Sequence, residues 1–437
     1  MSRAQDLNSA LANAYRVNPD LNAARANTRG VDESVPTAKA AGRPKVSATG
    51  DIGANSIDSK SPGRRGHTEL FPGGVGLTVT QTLYAGGRIS AGIGAAESSV
   101  LAARETLRNT EQNTLLDGVN AYMNVVRDTA ILNLRQNNVN VLMEQVRQTK
   151  DRFNVGEVTR TDVAQSEARL AGSRSELALS RSNLQASIAR FKQVLGLDPK
   201  KLAPVQPYSL SRLPKSQGEA VNRALQDHPA IAAALHGVDV QTLQIKVVEG
   251  ELLPTVTVQG NLSRRYDTQV EKDRRSSASI VGQVSIPLYD GGSAYSRTRA
   301  AKETLGERQL QVDSARDRVV AAVVSAWALI QATGFQIEGA AAQVAAAEIA
   351  LNGVKEEARV GQRTTLDVLN AQQELLNARV AQVTAQRDRV VASYSLLAAT
   401  GQLSGRTLGL KIAAYDPKVH YEQVKDSWLG LRTPSGN

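Results

Sequence analysis

The chain has 437 residues, no cysteine, a formal net charge of +10 and only 4% aromatic side chains. The missing cysteine excludes disulfides, thiolate metal sites and a cysteine nucleophile. So few bulky rings argue against a thick globular core and for thin helical layers, although the length alone would allow two or three ordinary domains. No run of 18 apolar residues occurs, which is expected to exclude a membrane-spanning helix. The opening MSRAQDLNSALANAY lacks the basic-then-apolar pattern of a signal peptide, which predicts either a cytoplasmic chain or a mature form with a start methionine added.

Taken in chain order, the elements come twice. The stretch VGEVTRTDV at 155–163 returns as VGQRTTLDV at 360–368, about 205 positions later. At the same offset Leu83-Tyr84-Ala85-Gly86-Gly87 answers Leu288-Tyr289-Asp290-Gly291-Gly292, and Val119-Asn120-Ala121-Tyr122 answers Val324-Ser325-Ala326-Trp327. Such self-similarity divides the chain into a first repeat (1–205), a second (206–410) and a tail (411–437). Each repeat is expected to read helix, two strands, two long helices.

The strand segments alternate with period two. Val46, Ala48, Gly50 and Ile52 face away from Lys45, Ser47, Thr49 and Asp51; Val75, Leu77 and Val79 oppose Gly76, Thr78 and Thr80. The second copy repeats this with Val256, Val258 and Leu262, then with Ile280, Val284, Ile286 and Leu288 on one face. Four strands of about ten residues, within 44–84 and 254–289, with one apolar and one small polar face, fit a membrane β-barrel. The connections inside each pair, 56–70 and 265–276, are long and charged, as outer loops of a barrel would be. Four strands cannot enclose a lumen, since small closed barrels use about eight, so several chains must share one barrel. A soluble antiparallel sheet with one buried face is the alternative.

Proline is absent between Pro72 and Pro199 and between Pro287 and Pro417, while four prolines crowd the stretch 199–214. Interior proline breaks helices, so both long gaps are permissive for very long helices, the first from about 88 to 155. The quoted stretches then read as tight turns between antiparallel helices. Gly156 and Gly361 suit the left-handed position past a helix end, Thr159 and Thr364 the N-cap, and Asp162 and Asp367 a capping box with Asp in place of Glu.

Together, the doubled unit, the strand-ending Leu-Tyr-Ala-Gly-Gly and Leu-Tyr-Asp-Gly-Gly, and the paired Val-Gly-x-x-Thr-x-x-Asp-Val turns resemble the TolC family of outer-membrane efflux and secretion channels. The similarity covers roughly 7–410. It implies a mainly α protein with membrane β structure: a homotrimeric 12-strand β-barrel in outer-membrane lipid, continued by a long α-helical coiled-coil barrel through the periplasm. The implied partners are a periplasmic adaptor (membrane fusion) protein and an inner-membrane RND or ABC transporter, for drug efflux, type I protein secretion or both. The resemblance places the turns at the periplasmic tip and makes Val155, Gly156, Thr159, Val360, Gly361 and Thr364 adaptor-docking residues. Asp367 matches an acidic pore constriction, where like charges around an axis would raise one another's pKa; the second acidic position is Asn370. Arg363, with Thr161 and Asp162, matches a gate latch, whereas Ala358 replaces the tyrosine of a second link. The implied linker and tail form a belt about the tunnel.

No enzyme and no cofactor are expected. The four histidines, His67, His228, His236 and His420, form no metal-like cluster, the glycine runs lack the lysine and hydroxyl of a phosphate loop, and no Ser-His-Asp set stands out. Basic residues are interspersed with acidic ones, without the stripe a nucleic-acid partner would need. A soluble coiled-coil scaffold remains the rival reading; it explains the helices and leaves the alternating strands unexplained.

Overall fold

In a computed structural model, residues 5–62, 64–209 and 213–434 are described. Part of the proline-rich connection between the repeats, 210–212, therefore lies outside the described residues. The first repeat holds α1 (Leu7–Val17), α2 (Pro19–Asp32), α3 (Ser34–Ala40), β1 (Lys45–Ile52), β2 (Asn55–Ser61), β3 (Arg64–Leu70), β4 (Gly73–Ala85), α4 (Arg88–Asn154) and α5 (Arg160–Leu195). The second holds α6 (Gln217–Asp227), α7 (Pro229–Glu249), a 3-10 turn (Gly250–Leu252), β5 (Thr255–Tyr266), β6 (Arg274–Ser285), α8 (Ser293–Arg359) and α9 (Thr365–Ala399), followed by α10 (Pro417–Val424) in the tail. Both α4 and α8 have 67 residues, and α5 and α9 have 36 and 35, so the sequence repeat is also a repeat of element lengths. At 1.5 Å per residue, each 67-residue helix is on the order of 100 Å long.

Packing divides the chain differently from the repeat. One compact unit comprises Met1–Ala26, Glu105–Ala232 and Ser314–Tyr415, the other Asn27–Arg104, Ala233–Asp313 and Asp416–Asn437. Each unit draws on both repeats.

The first unit carries the main apolar core. Leu11, Leu115, Val119, Tyr122, Phe191, Leu195, Val323, Leu396 and Leu397 pack together there. Tyr122, fully buried, sends its hydroxyl to the carbonyls of Gln5 (2.7 Å) and Ala203 (2.9 Å), tying the amino-terminal segment and the inter-repeat connection to α4. Burial pushes its phenol up to about 12, so it is a neutral donor at any physiological pH. Trp327, its counterpart in the second repeat, packs at the margin of the same core.

The second unit holds a four-stranded antiparallel sheet in the order β1-β4-β5-β6. Its register sorts the two faces. Val46 lies opposite Val79, Ala48 opposite Leu77, Leu77 opposite Leu262, Leu262 opposite Ala278, Gly260 opposite Ile280 and Val256 opposite Val284. Because directly paired residues point to the same side, these form one apolar face. The other face carries Thr78 hydrogen-bonded to Asn261 (2.9 Å), Ser263 to Ser277 (2.9 Å) and Asp51 ion-paired with Arg265 (2.6 Å). Nothing among the described residues covers the apolar face: Ile280 is 84% exposed and Ile52 91%. At the end of β4, Gly86 (φ +62°) and Gly87 (φ +77°) turn the chain into α4, and a Cβ on Gly86 would stand 2.4 Å from the Gly250 carbonyl oxygen; Gly291 and Gly292 repeat the positive φ before α8.

Three expectations are corrected. The stretch 56–70 is no loop but a second antiparallel hairpin, β2 with β3, in which Asp58 pairs with His67. It has no apolar alternation to announce it. The strand β6 begins at Arg274 and ends at Ser285, which leaves Ile286 and Leu288 beyond it. Finally, one described helix, α8, is long and apolar enough to cross a membrane by length and composition, with a stretch of mean hydropathy 1.5. Single polar residues in the Ala- and Val-rich VVAAVVSAWALIQATG break the run without lowering its average much. Val319, Val323 and Ile330 of α8 are buried in the core, while Leu329 and Phe335 stay exposed, so the helix is apolar on more than one side.

Tyr122→Phe is expected to lower unfolding stability by about 1–3 kcal/mol, because it strands buried carbonyls without changing shape. Chemical denaturation, compared with the wild-type chain, checks it.

Candidate functional site

The two helix-tip turns are built alike at their glycines and at the caps that follow. In the first, α4 ends at Asn154, Gly156 takes φ +80°, and the amides of Gly156 and Glu157 return to the carbonyls of Phe153 (3.0 Å) and Arg152 (2.9 Å). In the second, Gly361 also takes φ +80°, and the amides of Gly361 and Gln362 bond the carbonyls of Ala358 (3.2 Å) and Glu357 (2.9 Å). A Cβ at either glycine would meet open space, so the requirement for glycine is conformational and not steric crowding.

Each following helix opens with a complete capping box. The Thr159 amide and hydroxyl donate to Asp162 Oδ2 (2.9 and 2.6 Å), and the Asp162 amide donates back to Thr159 Oγ1 (3.2 Å). The second turn repeats this, with the Thr364 amide and hydroxyl on Asp367 Oδ2 (3.0 and 2.9 Å) and the Asp367 amide on Thr364 Oγ1 (3.2 Å). A threonine hydroxyl suits the position because it donates and accepts at once. The shorter aspartate closes the box in place of glutamate.

Electrostatics follow from these bonds. Hydrogen bonds from Thr159 hold the Asp162 carboxyl below the usual carboxylate range, and the bonds from Thr364, with Arg363 nearby, do the same for Asp367. Within one chain the shift at Asp367 thus runs opposite to that expected from a ring of like charges. A depressed folded-state pKa contributes stability above the unfolded carboxylate pKa, and that contribution is lost as pH falls through the folded value.

The structure does not bring Arg363 to Thr161 or Asp162 within one chain. The Arg363 guanidinium pairs with Glu357 at 2.8 Å, across its own turn, as Arg152 pairs with Glu157 at 3.0 Å in the first. Thr161 is exposed on the first turn of α5. Val155 and Val360 are 71% and 66% exposed at the two tips, and Gly156, Thr159, Gly361 and Thr364 are exposed beside them. The six residues thus form two matched exposed patches.

Asn370 does something sequence reasoning missed. Its Oδ1 accepts a hydrogen bond from Arg169 Nη2 at 2.7 Å, joining α9 to α5. Beside this tie Leu369, 2% exposed, packs in a cluster with Val139, Leu142, Val146 and Leu170. The usable signal was a break in the repeat: Glu374 stands where Arg169 stands one repeat earlier, a reversal of charge between matching positions.

The histidines are scattered. His67 bonds Asp58 (2.6 Å), His236 bonds Asp239 (3.4 Å), His420 bonds Asp32 (3.0 Å) and His228 is half-buried beneath Gly401. Among the described residues no group of three His, Cys, Asp or Glu could hold a metal ion.

With this geometry in hand, comparison with known proteins is decisive. A family model described as outer membrane efflux protein matches residues 8–197 and 220–402. The chain belongs to the outer membrane efflux protein family. It is 42% identical over 434 residues to the outer membrane efflux protein BepC of Brucella suis, covering 99% of this chain and 93% of that one. It is 25% identical to the outer membrane protein TolC of Vibrio cholerae, covering 94% and 95%. Among solved structures, the Campylobacter jejuni CmeC outer membrane channel aligns with a TM-score of 0.82 at 18% identity, over 96% of this chain and 89% of that one. The fold is therefore that of an outer-membrane channel subunit.

Thr364→Ala is expected to weaken the start of α9 by about 1 kcal/mol, the usual worth of an N-cap. Amide hydrogen exchange at Asp367 and Val368 should then speed up about fivefold, while the first turn is unaffected.

Proposed function

We propose that three copies of this chain close one 12-strand barrel in the outer membrane and continue it as a helical tunnel, forming a passive exit duct for a drug-efflux or type I secretion system. The observation that carries this reading is the sheet itself: among the described residues it has one uncovered apolar face, one small polar face, and outer strands β1 and β6 with no neighbour beyond β4 and β5. In hydrocarbon every backbone polar group must be paired, so these edges require strands from other copies. The exposed apolar side of α8 calls for the same cover. The names of the relatives support efflux and secretion as the kind of transport served, since BepC is an efflux protein and a relative in Dickeya chrysanthemi is a protease secretion protein.

The tip turns become the gate and the docking site. Three Asp367 carboxylates would surround the axis, low in pKa and therefore charged, with the three Asn370 amides beyond them; such a ring favours cations. Val155, Gly156, Thr159, Val360, Gly361 and Thr364 offer two apolar, open-backbone patches per copy to the hairpin tips of a periplasmic adaptor, itself coupled to an inner-membrane RND or ABC transporter. Arg363 holds the closed state by exchanging Glu357 for Thr161 and Asp162 of an adjoining hairpin. The duct needs no cofactor and no catalytic group, since the partner supplies the energy.

Single-channel recording in a planar bilayer tests the reading. Asp367→Asn should cut the preference for potassium over chloride, and Arg363→Ala should raise open probability several-fold. Absence of any channel from the folded wild-type protein would overturn the duct; unchanged selectivity in Asp367→Asn would remove Asp367 from the constriction.

A further inference from the structure

One end of the sheet carries a feature that channel formation does not use. On the apolar face, Val256, Val258, Gly260 and Leu262 of β5 lead in steps of two to Arg264 and Tyr266, and Tyr266 lies opposite Arg274 of β6. Arg264, Tyr266 and Arg274 therefore stand on the same side as the apolar band, at its end. The two guanidinium carbons lie 5.7 and 5.9 Å from the centre of the Tyr266 ring, one from each strand.

The surrounding acids are occupied elsewhere. Asp267 accepts the Lys272 amide (2.6 Å), Asp273 accepts the amide and hydroxyl of Thr268 (2.7 and 3.1 Å), and Glu271 pairs with the Lys272 ammonium (3.3 Å). These bonds fold the connecting loop on itself. Arg265 makes the contrast: it points to the polar face and is matched there by Asp51 at 2.6 Å. Among the described residues neither Arg264 nor Arg274 has a carboxylate partner, and both are exposed. Arg275, directly opposite Arg265, shares the polar face and likewise has no carboxylate partner among the described residues, so Arg264 and Arg274 are set apart by their place on the apolar side, one from each strand beside the Tyr266 ring.

Building on the membrane-barrel reading, we propose that Arg264, Tyr266 and Arg274 bind the phosphate headgroup of an anionic membrane lipid at this end of the barrel. The chemistry is complementary. A ring with a polar tip belongs at the boundary between hydrocarbon and headgroups. Two planar guanidinium forks beside it present paired donors that match phosphate oxygens. Arginines held at that level attract anionic lipid over zwitterionic lipid, more strongly at low salt. Three copies of the chain would give three such sites around the rim.

Native mass spectrometry of the detergent-purified full chain tests this, with titrations of phosphatidylglycerol and phosphatidylcholine bearing the same acyl chains. The wild type should retain phosphatidylglycerol about tenfold better at low salt. Arg264→Gln with Arg274→Gln should bring that ratio near one, Arg264→Lys with Arg274→Lys should keep part of it, and Arg265→Gln should leave it unchanged. Equal retention of both lipids by the wild type, or an equal loss in Arg265→Gln, would overturn the site while leaving the barrel intact. Retention of neither lipid would contradict the barrel reading as well.

Discussion

Everything in this chain hangs on a sheet too narrow to close. Among the described residues, four strands give an apolar face with nothing against it and two outer edges whose amides and carbonyls have no strand partner. In water such a sheet is an aggregation hazard, and in lipid its free edges are prohibitively costly. The economical solution is for copies of the chain to pair β1 with β6 around a ring. Once that is required, the rest becomes intelligible: a duplicated unit supplies the strands in pairs, and the long helices that leave those pairs need the same neighbours to cover their exposed apolar sides.

The repeat works at two scales. Over hundreds of residues it sets equal helix lengths, so that both hairpins of a chain turn after the same 67 residues. Over nine residues it sets the same hydrogen bonds, a left-handed glycine followed by a reciprocal Thr-Asp box. Copies around an axis must present their turns at one level if they are to form a common rim, and identical turn chemistry on equal helices achieves this without any long-range contact. The capping role and the proposed pore role of Asp367 are compatible. Hydrogen bonds from Thr364 keep the carboxyl charged, and a fixed charge is what a selective constriction uses. Departures from the repeat are then where function is to be sought, as with Arg169 against Glu374.

Much of this was legible in the sequence because the signals were periodic or conformational. The absence of proline forecast a helix over about 88–155 where α4 spans Arg88–Asn154. Positive φ at Gly156 and Gly361 was forecast by turn chemistry, as were both capping boxes. Strand alternation located β1, β4 and most of β5. What escaped notice lacked such a signal. The β2-β3 hairpin pairs polar with polar, so no face stands out, and the first residues of β6 are arginines and serines. The bond between Arg169 and Asn370 depends on how α5 meets α9, which is a matter of packing between elements far apart in sequence.

The central claim is that several copies share one barrel, and the mass of the folded particle tests it most directly. Light scattering in mild detergent, with the detergent contribution subtracted, should give three chains, about three times 46.6 kDa, and aggregation once detergent is withdrawn. A monodisperse single chain or pair that stays soluble without detergent would contradict it, and the sheet would then have to be covered from within the chain or by another protein.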